Sequence, residues 1–595
     1  MRKLTVCGCD ISEYTIVLNP VPDPAEKTAA EFLVRVIETA CGVKLPVSDT
    51  AERGICIGTR EKSDEVKWDG FRITTDDKNL YLDGNIPRGT LYAAYDFAEK
   101  YLGYRYFAAD CEVIPTEGEA DVPCNFHTVD NPGFEARRSD CYTHMKSSEF
   151  CTHLRLNDCM PCSADEWGGC TNVTGDCHTF ARRLPGEKYF AEHPEYYSLR
   201  DGERIPCNDG GGPGQLCLTN PDVIRLVTED VLRELRENPT KRVVDVSQAD
   251  NGNYCTCERC AAADEEEGSH SGAIIRFVNA IAERVEKEFP DARVQTFAYT
   301  YSRVPPKLTK ARENVIIRYC TMSDCCRHSL NDPDCPKNSA RTAPEIKGWR
   351  EMSSHMSIWD YITDWDCYIA PFPNLISMFE NVKFYADCNV GYILAECNPD
   401  NAAGGVYPDL KAYLIGKLLW NPYMTEEEYS RRIAEFLSAF YGKGWREIAK
   451  YIDLEYEATK ERCVTCTDRI DIAFRDVDHE ETVQEMLDRW RGYEAKPYQD
   501  MWDDHCLVGI VNRMDEAKGY FDRALALAET DEHRMHIERS RMAIQYLDLF
   551  CSGKKAENMT EAERTAYEAE CRKFFEDKVR YNFYWNLHTG LNKFR

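Results

Sequence analysis

Between about residues 130 and 424 the chain repeats one pattern: a short run of buried-type residues, a polar loop, then an amphipathic helical stretch. Candidate strands are GFEARRSD, HLRLND, RVVDVSQ, RVQTFAYTY, NVIIRYCTM, HMSIWDYI and VGYILAE, and helical runs such as SGAIIRFVNAIAERVEKEF separate several of them. A strand that returns to the sheet through a helix must run parallel to its predecessor, because hairpins join only antiparallel neighbours. So many units in this span fit a closed barrel with long insertions better than an open sheet. The expected fold class is α/β, with a central (β/α)8 TIM-type barrel over residues 127–424 and an open doubly wound sheet as the alternative.

The flanks read differently. Residues 1–126 combine the amphipathic stretch AEKTAAEFLVRVIETACG, which should end at Gly42, with the strands GICIG, FRITTD and NLYLDG and a second helix, RGTLYAAYDFAEKYLG. They are expected to form a two-layer α/β accessory domain. Residues 425–595 are expected to be helical, opening at Pro422 and at Thr425, which stands three residues before Glu428 with the spacing of a capping box. Three such units suit a chain of 595 residues.

A net charge of −29 opposes any polyphosphate partner, and no basic groove is legible, so nucleic acid is not expected. No stretch has the length of apolar sequence that a membrane helix needs, so no membrane partner is expected either. The opening MRKLTVCGCDISEYTIVLNP lacks the apolar run and cleavage site of a secretory leader, from which a cytoplasmic location is expected, or secretion if a leader has been removed. The 29 cysteines are an odd number and unusually many; without a leader they are expected to be reduced thiols.

In a (β/α)8 barrel the chemistry sits at the C-terminal ends of the strands, so polar residues directly after buried runs are the candidates. VVDVSQADN ends in Ser247, Gln248, Asp250 and Asn251; FAYTYSRVPP carries Tyr299 and Tyr301; SIWDYITDWD carries Trp359, Asp360, Tyr361, Asp364 and Trp365; YILAECN carries Glu396. Cleaving a glycosidic bond needs an acid for the leaving oxygen and a second group at the oxocarbenium-like centre. Asp250, Glu396 and Asp360 are the candidate catalytic carboxylates, and His178, Gln248, Asn251, Tyr299, Tyr301, Trp359, Tyr361 and Trp365 the candidate substrate contacts. His193 is a weaker candidate, in a polar insertion.

Cys255, Cys257 and Cys260 put three thiols within six residues. That spacing can wrap a tetrahedral metal if a fourth ligand comes from elsewhere, Cys217 or His178 being the candidates. A structural zinc is therefore a possible cofactor, free thiols are the alternative, and no cofactor is expected for catalysis.

The block SQADNGNYCTCERCAAADEEEGSHSGAIIRFVNAIAERV, followed by FAYTYSRVPPK, resembles the central part of the domain-of-unknown-function family 4838. SIWDYITDWDCYIAPFPN, GYILAECN, LKAYLIGKLLWNP, HTF, HPEYYSL and QLCLTNPDV continue the resemblance over about residues 130–440. It implies kinship with glycoside hydrolase family 163 and hence endo-β-N-acetylglucosaminidase activity on a glycan. RGTLYAAYDFAEKYLG is similar to the accessory domain of family 20 hexosaminidases and of α-glucuronidases. In those hexosaminidases an adjacent Asp and Glu end the fourth strand; here the position reads Ala249-Asp250-Asn251 and lacks the second carboxylate.

The expected function is hydrolysis of N-acetylhexosaminide linkages with retention, the partner being an oligosaccharide or glycan. An exo-acting glycosidase of other sugar specificity, a non-catalytic carbohydrate-binding protein on a barrel scaffold and metal-dependent hydrolysis at the cysteine cluster are the alternatives. The sequence leaves oligomeric state undetermined.

Overall fold

The computed structural model describes residues 1–171, 173, 176–208, 212–399, 402, 404–468, 481–492, 505–552 and 559–585. It divides into two compact units. The first comprises Met1–Cys170, Ile362–Phe379 and Glu396–Arg595, the second Thr171–Tyr361 and Glu380–Ala395.

In the first unit, a six-stranded sheet runs in the order His127–Asp130, Phe71–Thr75, Leu80–Gly84, Gly54–Ile57, Thr15–Val17 and Val47–Ser48. Helices Pro24–Cys41 and Pro87–Phe97 bury Leu33, Val36, Ile37, Leu91 and Ala94 against the same core as Ile16, Ile55, Ile73 and Leu82. Asp23 caps the first helix in a full capping box with Glu26, and Gly42 ends it at φ 74, a left-handed conformation that glycine adopts at no steric cost. Gly89 has a different reason to be glycine: a Cβ there would stand 2.4 Å from the Gly70 carbonyl oxygen, so the second helix can approach the sheet only without a side chain.

The helices after residue 425 belong to this same unit. Thr425 accepts a hydrogen bond from the Glu428 backbone N–H at 3.1 Å, one half of the expected box, while the Glu428 carboxylate turns to Arg432 at 2.7 Å. An ion pair, Arg105 to Glu435 at 3.1 Å, ties these helices to the N-terminal layer, and the preceding helix Pro408–Trp420 is tied to it by Lys417 to Glu99 at 2.6 Å.

Next to strand Phe71–Thr75 the first unit holds a buried charge cluster. Asp69 accepts from Arg137 Nη1 and Nη2 at 3.1 and 2.6 Å, from Arg88 Nε at 3.2 Å and from Asn157 Nδ2 at 2.9 Å. Burial disfavours the carboxylate, but the two guanidinium groups outweigh it and hold the Asp69 pKa below the ordinary aspartate value. The residues read as the strand HLRLND are not one: a short helix, Ser148–His153, ends at Leu154, and Arg155 turns the chain at φ 59. Leu154 and Leu156 alternate with polar residues as in a strand, but Arg155 and Asn157 are buried as well.

The second unit carries the parallel sheet. Its strands are β1 (Val243–Asp245), β2 (Arg293–Ala298), β3 (Val315–Cys320), β4 (His355–Tyr361) and β5 (Val390–Glu396, whose last residue already counts with the first unit). They lie side by side in chain order, and β1 to β4 pair in parallel. The helices before and between them include α1 (Pro221–Glu237, before β1), α2 (Glu258–Glu267), α3 (Ser271–Glu288), α4 (Ala343–Met352) and, between β4 and β5, Leu375–Asp387. In α3, Ile274, Phe277, Val278, Ile281, Ala282 and Val285 form the buried stripe expected from the sequence.

Strand order decides between the two expected architectures. A doubly wound sheet reverses its order at a switch point, whereas a barrel adds each strand beside the last. From β1 to β5 the order never reverses, the sixth strand, Ala136–Ser139, standing at the edge beyond β5, and the sheet forms a curled parallel half-barrel within a mixed α/β protein. A closed (β/α)8 barrel is not present among the described residues. Six strands make up this sheet among the described residues: of those counted toward eight, residues 153–158 are a helix end, while Ala136–Ser139 is the sixth strand of the sheet although it counts with the first unit.

Removing Asp69 would leave two buried cations without their partner. Asp69→Ala is expected to cost about 3–5 kcal/mol of stability in urea unfolding, with faster hydrogen exchange in Phe71–Thr75 and Ala136–Ser139. An unchanged unfolding curve would show that the cluster is not structural.

Candidate active site

Parallel register sets the geometry. Asp245 of β1 pairs with Gln295 of β2, Phe297 of β2 with Arg318 of β3, and Arg318 with Ser357 of β4. Side chains alternate across a strand, so one face carries Asp245, Gln295, Phe297, Arg318, Ser357, Trp359 and Tyr361, and the other Val294, Thr296, Ile317, Tyr319, Ile358 and Asp360. The first face is the polar and aromatic one.

At the C-terminal edge of that face, Tyr299 donates its phenolic hydrogen to Asp250 Oδ1 at 3.1 Å. His178 Nε2 stands 4.0 Å from the same oxygen, and its ring meets Phe297 at 5.3 Å and Tyr299 at 5.8 Å. His178 Nδ1 lies 2.8 Å from the Gln248 carbonyl oxygen. A carbonyl can only accept, so Nδ1 carries hydrogen and Nε2 is the nitrogen turned toward Asp250. The backbone at His178 is left-handed, φ 50, a conformation uncommon away from glycine and asparagine. Asp250 itself is more than half exposed, 56% for the side chain, as a group that must meet a solute requires.

Trp359 and Tyr361 stack at 6.4 Å with planes 20° apart, and Phe297 meets Trp359 edge-on at 5.9 Å. Below them Arg318 is fully buried, its guanidinium 5.5 Å from the Trp359 ring centre, and donates from Nη1 to the Asp176 carbonyl oxygen at 3.1 Å. Asp245, also buried, accepts from Gln295 Nε2 at 2.9 Å, from Thr179 Oγ1 at 3.1 Å and from Ser247. Burial pushes its pKa up; the hydrogen bonds and Arg318 partly offset this. Strand-end reasoning missed Arg318, which is in mid-strand, and Asp245, which ends β1 but is followed by a further buried residue, Val246. A charged residue inside a run such as NVIIRYCTM was the available signal.

Several expected contacts have other work. Gln248 donates to the Tyr299 carbonyl oxygen at 3.0 Å and to Thr300 Oγ1 at 3.1 Å, and accepts from Ser302 at 2.6 Å, so its amide joins two loops. Asn251 donates to the Gly212 and Gly214 carbonyl oxygens and accepts from Gln215 and the Asn253 N–H. Tyr301 packs on Tyr254 at 5.2 Å and His270 at 6.3 Å. His193 stacks on Tyr196 and bonds Glu195. Trp365 and Asp364 lie in the first unit, where Trp365 is buried and packs on Tyr368 at 5.8 Å. Glu396 ends β5 and also counts with the first unit; its carbonyl oxygen accepts from the Ile362 N–H at 3.0 Å.

Asp360 points to the opposite face from Trp359 and Tyr361, one residue of strand reversing the side. It is buried there, accepting from Thr321 Oγ1 at 3.0 Å. The sheet thus gathers Asp250, Tyr299 and His178 on one edge and leaves Asp360 out. The four cysteines Cys217, Cys255, Cys257 and Cys260, by contrast, come together: their sulfur atoms all lie within 4.8 Å of one another.

Among solved structures, this fold is similar to a family GH115 4-O-methyl-α-glucuronidase with specificity for decorated arabinogalactans, at TM-score 0.52 and 11% identity over 97% of this chain and 78% of that one. A GH138 enzyme targeting pectin rhamnogalacturonan II matches at TM-score 0.42 and 12% identity, over 97% and 75% of the two chains. A mutant Streptomyces plicatus β-hexosaminidase in complex with GlcNAc matches at TM-score 0.39 and 13% identity, over 72% and 91%. No curated protein matches this chain. The profile of the domain of unknown function DUF4838 matches residues 106–453, and the chain belongs to that family.

Burial raises the Asp360 pKa to about 6. A carboxyl whose folded pKa lies above its unfolded one stabilises the fold while protonated, in full below about pH 4, and that contribution is lost as pH rises through 6. Asp360→Asn is expected to flatten this loss, roughly 3 kcal/mol between pH 4 and 7 in urea midpoints. Equal pH profiles for the two proteins would contradict the assignment.

Proposed function

We propose that this chain is a glycoside hydrolase acting on N-acetylhexosaminide linkages of an oligosaccharide or glycan, in the manner of an endo-β-N-acetylglucosaminidase and with retention of configuration. One observation carries the reading: an accessible carboxylate, Asp250, is held by the Tyr299 phenol and faced by His178, on the same face of the sheet as the Trp359–Tyr361 aromatic pair. Sugar rings present apolar C–H faces that settle on aromatic planes, while their reacting centre needs a carboxylate. The resemblance of its motifs to glycoside hydrolase family 163 and a fold similar to that of an α-glucuronidase support the same class of chemistry.

In this reading the substrate's acetamido oxygen attacks the anomeric carbon, the bond to the leaving oxygen breaks, and that oxygen takes a proton. Asp250 accepts the acetamido N–H and stabilises the positive charge that develops on the ring so formed. Tyr299 fixes the carboxylate's rotamer. His178, its Nδ1–H anchored on the Gln248 carbonyl, enters the step with a second proton on Nε2, gives that proton to the leaving oxygen and takes one back from the water that attacks next. Water then opens the bicyclic intermediate from the face the leaving group vacated, which restores the original configuration.

Asp250→Asn keeps the shape and removes the charge. It is expected to lower kcat by about 10²–10⁴-fold on aryl N-acetyl-β-glucosaminides and chitooligosaccharides while sugar binding, followed by calorimetry, survives; Tyr299→Phe should lose roughly tenfold. Absence of turnover by the parent protein on these substrates and on a glycan panel, with binding retained, would make this a carbohydrate-binding protein. Equal hydrolysis of the 2-hydroxy sugar would exclude acetamido assistance.

A further inference from the structure

Around Cys217 the second unit builds a site that the proposed hydrolysis does not use. The Cys217 sulfur lies 3.7 Å from that of Cys257 and 3.9 Å from that of Cys260. Four thiolates arranged tetrahedrally about one ion at a metal–sulfur distance of about 2.3 Å would stand about 3.8 Å apart. Disulfide partners stand near 2.05 Å, and no pair here approaches it; all 29 cysteines of the chain are thiols. Cysteine sulfurs that ligate the separate iron corners of an iron–sulfur cube must stand farther apart than the 4.8 Å that spans this set, which leaves a single ion.

The surroundings fit a charged centre. Four thiolates around a dication carry a net charge of −2, and Arg204 Nη1 lies 3.7 Å from the Cys255 sulfur. The Leu199 N–H donates to the same sulfur at 3.4 Å, and Thr219 Oγ1 lies 3.2 Å from the Cys260 sulfur. The cysteines are only 1% to 9% exposed, and four sulfur ligands fill a tetrahedral coordination sphere. A closed four-sulfur set is structural rather than catalytic. We propose that Cys217, Cys255, Cys257 and Cys260 bind one Zn²⁺, which clamps the loop carrying Asp250.

The clamp follows from the sequence of attachments. Gln215 Nε2 donates to the carbonyl oxygens of Ala249 and Asn251 at 2.8 and 2.9 Å, and Gln215 Oε1 accepts from the Ala249 N–H at 2.9 Å. Two residues on, Cys217 meets the thiols that follow Asp250 by five, seven and ten residues. One short segment, Gln215–Cys217, therefore holds both ends of the loop that presents Asp250, the near end by an amide and the far end through the metal. Binding exchanges four thiol protons for one Zn²⁺, with no change of oxidation state.

Metal analysis of the full-length protein purified under reducing conditions tests this without reference to activity. About one equivalent of zinc is expected, and replacing it with Co²⁺ should give the intense visible bands of tetrahedral cobalt and a thiolate-to-cobalt charge-transfer band in the near ultraviolet. Cys257→Ser and Cys260→Ser should each lose the metal and open the 250–256 segment to protease; Cys177→Ser, an exposed thiol outside the cluster, should keep both metal and resistance. Less than about 0.1 equivalent of zinc in protein made in zinc-replete medium, with no cobalt charge-transfer band on titration, overturns the proposal, as does iron in zinc's place. The wild-type measurements stand even if the variants fail to fold. They are also independent of hydrolysis, so a zinc-loaded protein that cleaves nothing would refute the functional reading and leave this one intact.

Discussion

The loop after the first strand of the parallel sheet is held by side chains rather than by regular backbone pairing, and the presentation of Asp250 depends on it. Gln215 bonds both faces of the peptide at Ala249 and the carbonyl of Asn251, while Gln248 crosses to the Tyr299 carbonyl and Ser302. These amides are buried, and a buried amide left unpaired is costly, so the arrangement is specific as well as stabilising. They bring a residue five positions beyond β1 beside one that directly follows β2. The Asp250–Tyr299 hydrogen bond is the product.

Beneath this loop the sheet has an unusual interior for a protein core. Asp245 and Arg318 are buried on the face that also carries Phe297, Trp359 and Tyr361. A buried cation and a buried carboxyl are retained only where hydrogen bonds and opposite charge satisfy them. Ser247, Thr179 and Gln295 supply these for Asp245. The result is a polar floor under an aromatic wall, with the accessible carboxylate at the rim. Such a surface suits a neutral, hydroxyl-rich ligand better than an anionic polymer, in keeping with the acidic net charge of the chain.

Much of this is legible in the sequence. Buried runs locate β1 to β5, and polar residues directly after them include Asp250 and Tyr299. The three clustered thiols point to a fourth, and Cys217 is where the fold puts it. What is not legible is which face of a strand looks inward. In a parallel sheet both faces are buried, so HMSIWDYI shows no alternation of exposed and buried residues, and Asp360 cannot be told from its neighbours by pattern. Alternation of apolar and polar residues at the end of a helix likewise mimics a strand in HLRLND. The size of the sheet is hidden for a related reason: a repeating strand–helix pattern describes an arc of barrel as well as a closed one. Gln248 and Asn251 have the chemistry of ligand contacts, and only the fold reveals that their amides face the protein.

The account stands on a 2-acetamido sugar meeting Asp250. A crystal structure of the protein with a thiazoline analogue of the bicyclic intermediate examines this most directly, because the analogue carries the acetamido group in its reacted geometry. The account predicts the thiazoline nitrogen within hydrogen-bonding reach of the Asp250 carboxylate and the sugar ring against Trp359 or Tyr361. An analogue bound elsewhere on the protein, or one seated with its nitrogen turned away from Asp250, would contradict it.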